Sequence, residues 1–111
     1  MSEKKSPITT HVLDTSIGRP AAGVEVRLYR EDDEIGRGVT NADGRITDLV
    51  SGPIEAGTYR IEFMTGEYFA RDGRSCFYPT VVIRFEITAP NEHYHVPLLV
   101  NPYGYSTYRG S

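Results

Sequence analysis

The amino-acid sequence predicts an all-β domain, an antiparallel sandwich or barrel, and three observations predict it. Apolar and polar residues alternate with a period of two in successive stretches. Turns rich in Gly, Pro, Asn and Asp separate those stretches at short spacing. Only GEYFARDG (66–73) has helical character, and it makes barely two turns. The 111 residues suit one domain, which at this size removes roughly 65% of its unfolded surface from water.

In VEVRLYRE (24–31), Val24, Val26 and Leu28 share one face and Glu25, Arg27 and Tyr29 the other, as a half-buried strand requires. TYRIEFM (58–64) puts Tyr59, Ile61 and Phe63 on one face, and VVIRFEIT (81–88) sets Val81, Ile83, Phe85 and Ile87 against Val82, Arg84 and Glu86. Reversals fall at GRPAAG (18–23), NADG (41–44), SGPIEAG (51–57) and APNE (89–92), while EDDE (31–34) reads as a solvated turn. Residues 1–7 are expected to be a flexible N-terminus, and 8–111 a single domain without internal repeat or linker.

Two stretches break the inside-outside rule. In HYHVPLLV (93–100), Tyr94, Val96, Leu98 and Val100 form a core-facing surface, yet His93, His95, Pro97 and Leu99 opposite them are not a charged, solvated set. A strand apolar on both sides is buried on both sides, and a sandwich this small has no third layer, so a subunit interface is expected. Pro97 offers no N–H to a ladder and should face an unpaired side or a bulge. The ending YGYSTYRGS alternates like a strand, with Tyr103, Tyr105 and Thr107 on one side and Ser106 and Tyr108 on the other, and then stops on a cation and small residues.

Composition removes several function classes. A net charge of −3 with no basic cluster argues against nucleic acid and anionic membranes as partners, and no apolar run approaches the roughly 18 to 20 residues of a membrane span. The N-terminal lysines precede no hydrophobic segment and the terminal RGS is not a peroxisomal address, so a cytoplasmic protein is expected. The one cysteine, Cys76, excludes an intrachain disulfide; a catalytic thiol is one reading, but beside Phe77 and Tyr78 it reads rather as a small buried hydrophobe.

Three histidines are available for chemistry: His11, His93 and His95. His93 and His95 project from the same face of a strand, an arrangement open to three readings: zinc ligands with a third histidine, residues without a task, or general acid-base groups near neutral pH. The nucleophile elbow, the phosphate loop, the dinucleotide fingerprint and the EF-hand are all absent.

The segments 11–30 (HVLDTSIGRPAAGVEVRLYR), 41–46 (NADGRI), 57–69, 77–87 and 93–111 (HYHVPLLVNPYGYSTYRGS) resemble, nearly end to end, the transthyretin-like 5-hydroxyisourate hydrolases of purine catabolism. The terminal Tyr108-Arg109-Gly110-Ser111 is the discriminating motif, since those hydrolases have it and the hormone-carrying transthyretins do not. The resemblance implies a two-sheet sandwich of about eight strands with one short helix, forming a homotetramer with active sites at the dimer-dimer interface. It implies His11, Arg45 and His95 as catalytic residues and Tyr108, Arg109 and Ser111 as substrate-binding residues, with no metal and no cofactor. The implied reaction is ring opening of 5-hydroxyisourate, a small-molecule substrate, to 2-oxo-4-hydroxy-4-carboxy-5-ureidoimidazoline in urate degradation. The alternative is a carrier of the transthyretin kind that binds in the same cleft without reacting. His93 receives no role from the resemblance.

Overall fold

The alternating stretches become strands, and the order along the chain in this computed structural model is β1 (Ile8–Asp14), β2 (Arg19–Pro20), β3 (Glu25–Arg30), β4 (Asp33–Val39), β5 (Arg45–Ile46), β6 (Gly57–Phe63), helix α1 (Thr65–Ala70), β7 (Val81–Ile87), β8 (Tyr94–Asn101) and β9 (Gly104–Thr107). The structure describes residues 6–110; residues 1–5 of the expected flexible terminus, and Ser111, lie outside the described residues. Ser6 and Pro7 are anchored rather than loose. Ser6 is buried, its hydroxyl accepts from the Val50 N–H at 3.2 Å, and the Pro7 carbonyl accepts from the Tyr94 N–H.

One sheet runs β4-β3-β6-β7, and the other runs β2-β1-β8-β9 with β5 also beside β1. Their inner faces meet through the residues that the alternation selects: Val26, Leu28, Ile61 and Phe63 from the first, Val12 and Leu98 from the second, all fully enclosed. Each such side chain contributes about 1.5–3 kcal/mol on burial. The two-sheet sandwich is therefore as expected, with one difference in pairing. β1 and β8 run parallel while every other ladder is antiparallel. A parallel pair needs a long crossover, and here the whole of the other sheet supplies it. EDDE is also divided: the reversal takes Glu31 and Asp32, and Asp33 already pairs with Arg30.

Pro97 meets the expectation for a residue without an N–H. β9 leaves its ladder after Thr107, opposite Leu98, and pairing resumes only at the His95–Gly110 bridge. Tyr108, next in register, falls opposite Pro97 where the ladder lapses. Cys76 is half-buried against the core.

Helix α1 is too short to hold by itself. Phe69 is fully buried, the Thr65 hydroxyl donates to the Tyr78 carbonyl at 2.7 Å, and the Tyr68 hydroxyl donates to the Asp14 carboxylate at 2.8 Å. Asp14 closes β1 with a fully buried carboxylate that also accepts from the Ser16 N–H at 3.0 Å and from Arg74 Nη2 at 3.1 Å. Burial pushes this carboxyl up, but the hydrogen bonds from Ser16, Tyr68 and Arg74 outweigh it and hold the pKa below the ordinary value. Burial, reinforced by the neighbouring carboxylate, pushes Tyr68 up to about 12. Asp14→Ala leaves Tyr68 without its acceptor and breaks the Arg74 pair, and should destabilise the fold by about 3 kcal/mol, the low end for a broken buried pair because Arg74 is partly solvated and keeps its bonds to Asp72 and Ser16. Urea denaturation checks it through a lowered midpoint at unchanged slope. Because the folded-state pKa is depressed, this contribution is present at neutral pH and is lost as pH falls through the carboxylate range. Among the described residues no helix is long and apolar enough to cross a membrane.

Candidate active site

β1 buries Ile8, Thr10, Val12 and Asp14, so the period of two sends Thr9, His11 and Leu13 to the outer surface of the sheet. β8 does the same with Tyr94, Val96, Leu98 and Val100 inside and His95 and Leu99 outside. Parallel pairing sets Thr9 beside His95 and His11 beside Pro97. Residues far apart in sequence thereby share one surface.

The turn before β5 brings in a cation. Asn41 Oδ1 accepts from the N–H groups of Asp43 at 2.9 Å and Arg45 at 3.0 Å, and Gly44 turns with φ +74° while its carbonyl accepts from the Val12 N–H at 2.7 Å. A Cβ at Gly44 would collide with the Val12 carbonyl oxygen, so both the left-handed turn and the close approach need glycine here. Arg45 consequently lies directly opposite His11. It is exposed and, among the described residues, forms no salt bridge.

Both half-buried imidazoles are held neutral. Burial lowers the His11 pKa, and Arg45 lowers it further against the opposing effect of Asp43, whose carbonyl accepts from the ring and whose carboxylate lies nearby. Burial also lowers His95, assisted by the positive charge of Arg45 and by the neighbouring His93 and His11, against a hydrogen bond to the Thr9 backbone. The Thr9 hydroxyl lies 2.8 Å from His95 Nδ1 and 3.0 Å from His93 Nε2. Two neutral imidazoles beside a guanidinium supply a base and a cation that can stabilise an oxyanion.

The chain end packs against this group. The Gly110 N–H donates to the His95 carbonyl at 2.8 Å, and a Cβ at 110 would stand 2.5 Å from His95 Cδ2. Tyr108 shares the outer side with Pro97 by register. Arg109 is turned the other way, its guanidinium 4.3 Å from the Tyr94 ring centroid and bonded to Glu92 Oε1 at 3.1 Å. Expected residues thus divide: His11, Arg45 and His95 share one outer face, Tyr108 and Arg109 line a cavity that His95 borders, and Ser111 lies outside the described residues.

A cavity of about 320 Å³ opens between β7 and β9 on the Arg109 side, lined by Ile83, Phe85, Tyr94, Thr107, Tyr108 and Arg109 among others. His95 borders it, whereas His11 and Arg45 are not among its lining residues. Among the described residues no three His, Cys, Asp or Glu side chains are grouped as a metal ligand set. Thr9 and Gly110 were missing from the expected site. Alternation alone puts Thr9 on the face of His11, but nothing in the sequence pairs it with position 95.

Known proteins share this arrangement of strands. The sequence is 48% identical to the 5-hydroxyisourate hydrolase of Halalkalibacterium halodurans, over 94% of this chain and 97% of that one. The structure of Klebsiella pneumoniae 5-hydroxyisourate hydrolase superposes with a TM-score of 0.86 at 46% identity, covering 94% of this chain and 92% of the other. Sea bream transthyretin, solved in complex with thyroxine, superposes with a TM-score of 0.83 at 31% identity, over 95% of each chain. The sequence model of the HIUase/Transthyretin family matches residues 8–110, from the first residue of β1 to the glycine that closes on His95. The chain belongs to the HIUase/transthyretin family.

Proposed function

We infer that this chain hydrolyses 5-hydroxyisourate, opening the oxidised purine ring in urate breakdown. The observation that carries the reading is the junction of His11, Arg45 and His95 on one outer surface, in a chain nearly half identical to a 5-hydroxyisourate hydrolase along almost its whole length. Water must lose a proton as it attacks a ring carbonyl, the carbonyl oxygen gains negative charge, and the expelled ring nitrogen must gain a proton. The two imidazoles manage the protons between them. Arg45, without a salt bridge among the described residues, offers paired N–H donors to the oxyanion. Tyr108 bounds the substrate at the chain end. Arg109 reaches it by leaving Glu92, an exposed pair worth about 0–1 kcal/mol. A carrier of apolar ligands gains nothing from neutral imidazoles and a guanidinium on its binding face, which favours the enzyme over a transthyretin-like carrier.

The working site is completed by further copies in a homotetramer. Leu13 and Leu99 are cross-strand neighbours, half-buried beside the histidines on a sheet face that one chain leaves open. Light scattering should give about four times the 12.4 kDa of one chain. A stable, fully active monomer would overturn the shared site.

Freshly generated 5-hydroxyisourate, followed by ultraviolet absorbance, should disappear faster with the protein than by spontaneous decay; equal rates would end the hydrolase reading. The pH profile has a defined direction. Since the folded-state pKa values of His11 and His95 are lowered from 6.5, both rings are neutral at pH 7, and kcat/KM should fall only as pH drops below 6.5. An acid limb centred above 6.5 would contradict the burial and charge effects at these rings.

A further inference from the structure

The Thr9 hydroxyl stands between two imidazoles, 2.8 Å from His95 Nδ1 and 3.0 Å from His93 Nε2. The rings lie 20° from parallel with centroids 6.4 Å apart. A hydroxyl has a single proton to donate, so Thr9 donates to one ring and accepts from the other. The two facing ring nitrogens must then be in opposite states, one N–H and one bare. Thr9 is only 8% exposed, with little water to compete for its hydroxyl, whereas His93 is exposed.

We propose that His93, Thr9 and His95 form a proton relay in which the Thr9 hydroxyl fixes the tautomer of His95 and His93 is the solvent-side terminus. The proposal rests on the reading that His95 serves as the base in the hydrolysis. At rest, His95 Nδ1–H donates to Thr9 Oγ1, which donates its own proton to His93 Nε2, leaving His95 Nε2 bare towards the substrate. As water attacks, its proton passes to His95 Nε2. The Nδ1 proton moves to Thr9 Oγ1, and the original hydroxyl proton moves to His93 Nε2, which becomes the imidazolium. Reversing these hops returns the proton to Nε2 for delivery to the leaving nitrogen, so proton and charge balance without any further reactant.

The surroundings give the relay its direction. Arg45 and His11, from β5 and β1, disfavour a positive charge on half-buried His95. At the other end, His93 is exposed, so water can solvate a charge on its ring, and the Arg109 cation bonded to the His93 carbonyl is itself paired with Glu92. Tyr108 is the other titratable group beside His95 and is exposed. A staple between β1 and β8 would need the Thr9 hydroxyl too, but it would not couple that hydroxyl to kcat or to the tautomer of His95.

Thr9→Val keeps the shape and removes the hydroxyl, and Thr9→Ser restores it. In the folded tetramer, Thr9→Val should lower kcat by about 10-fold or more while KM stays within about two-fold, and Thr9→Ser should recover most of the loss. Nitrogen-15 spectra of the histidine rings, recorded without substrate, should show wild-type His95 protonated at Nδ1 and bare at Nε2, and a mixture of tautomers in Thr9→Val. Wild-type kcat and an unshifted acid limb in folded Thr9→Val would overturn the relay. So would equal impairment in Thr9→Ser, or a wild-type His95 protonated at Nε2 at neutral pH. His95→Asn separates the two claims: if it stays active the hydrolase site is misassigned, whereas if it is dead and Thr9→Val is unaffected, only the relay fails.

Discussion

His95→Asn should lower kcat/KM for 5-hydroxyisourate by about 10² to 10⁴, the usual loss on removing a general acid-base group, with the tetramer intact. Asparagine retains polarity and can still hydrogen-bond to Thr9, but its amide does not exchange a proton near neutral pH. The fold has little reason to respond, because His95 projects from the outer side of β8 while Tyr94 and Val96 on either side carry the core contacts. His11→Asn should fall in the same range, since His11 faces Arg45 across the β1–β5 ladder. The double variant should lose less than the product of the single losses, because groups that act as a unit are not additive. Circular dichroism and light scattering must accompany the kinetics. Near wild-type turnover from either folded variant would remove that histidine from the mechanism.

Gly110→Ala tests whether the end of the chain serves the site or merely terminates a strand. The added methyl would stand 2.5 Å from His95 Cδ2 and 3.2 Å from both His95 Cγ and Pro97 Cγ. A ring edge and a proline cannot yield as a flexible side chain would. Either the imidazole rotates away from Thr9, or residues 108–110 peel off and the bond from Gly110 N–H to the His95 carbonyl is lost. Both results misplace the reacting nitrogen, and a displacement of about 1 Å costs on the order of 10² in rate. Stability should change little, because the tail makes few buried contacts and frayed ends cost little. A catalytic loss without a shift in melting temperature is therefore expected. Unchanged kcat would show that the tail does not hold His95, and an equal fall in stability and rate would make its role structural.

The amino-acid sequence alone determined which side chains face the core. The alternation in 24–31, 58–64, 81–88 and 93–100 selected Val26, Leu28, Tyr59, Ile61, Phe63, Val81, Ile87, Val96 and Leu98, all buried in the structure. It also marked β8 as apolar on both sides and Pro97 as a point where a ladder must lapse. Local alternation suffices for these because a strand's pleat is a property of its own backbone. The resemblance of the Asp-Gly turn, the HYHVPLL stretch and the terminal motif to known hydrolases supplied His11, Arg45 and His95 as candidates. Strands whose form depends on neighbours were hidden. β4 carries Gly36 and Gly38, poor strand formers that are accommodated because the backbone at Leu49 and the side chain of Ile46 occupy the space their side chains would need.

Tertiary structure decided what those candidates form. The parallel register of β1 on β8, between strands near opposite ends of the chain, places Thr9 rather than any sequence neighbour against His95 and connects it to His93. The same register, carried into the tail, sets Gly110 on the His95 ring and turns Arg109 towards Tyr94 and Glu92 instead of Arg45. A slip of one residue in either pairing would exchange inner and outer faces. Only the joint packing of both sheets around Val12, Leu28, Phe63 and Leu98 fixes that register, and no single stretch of sequence contains both partners of such a contact.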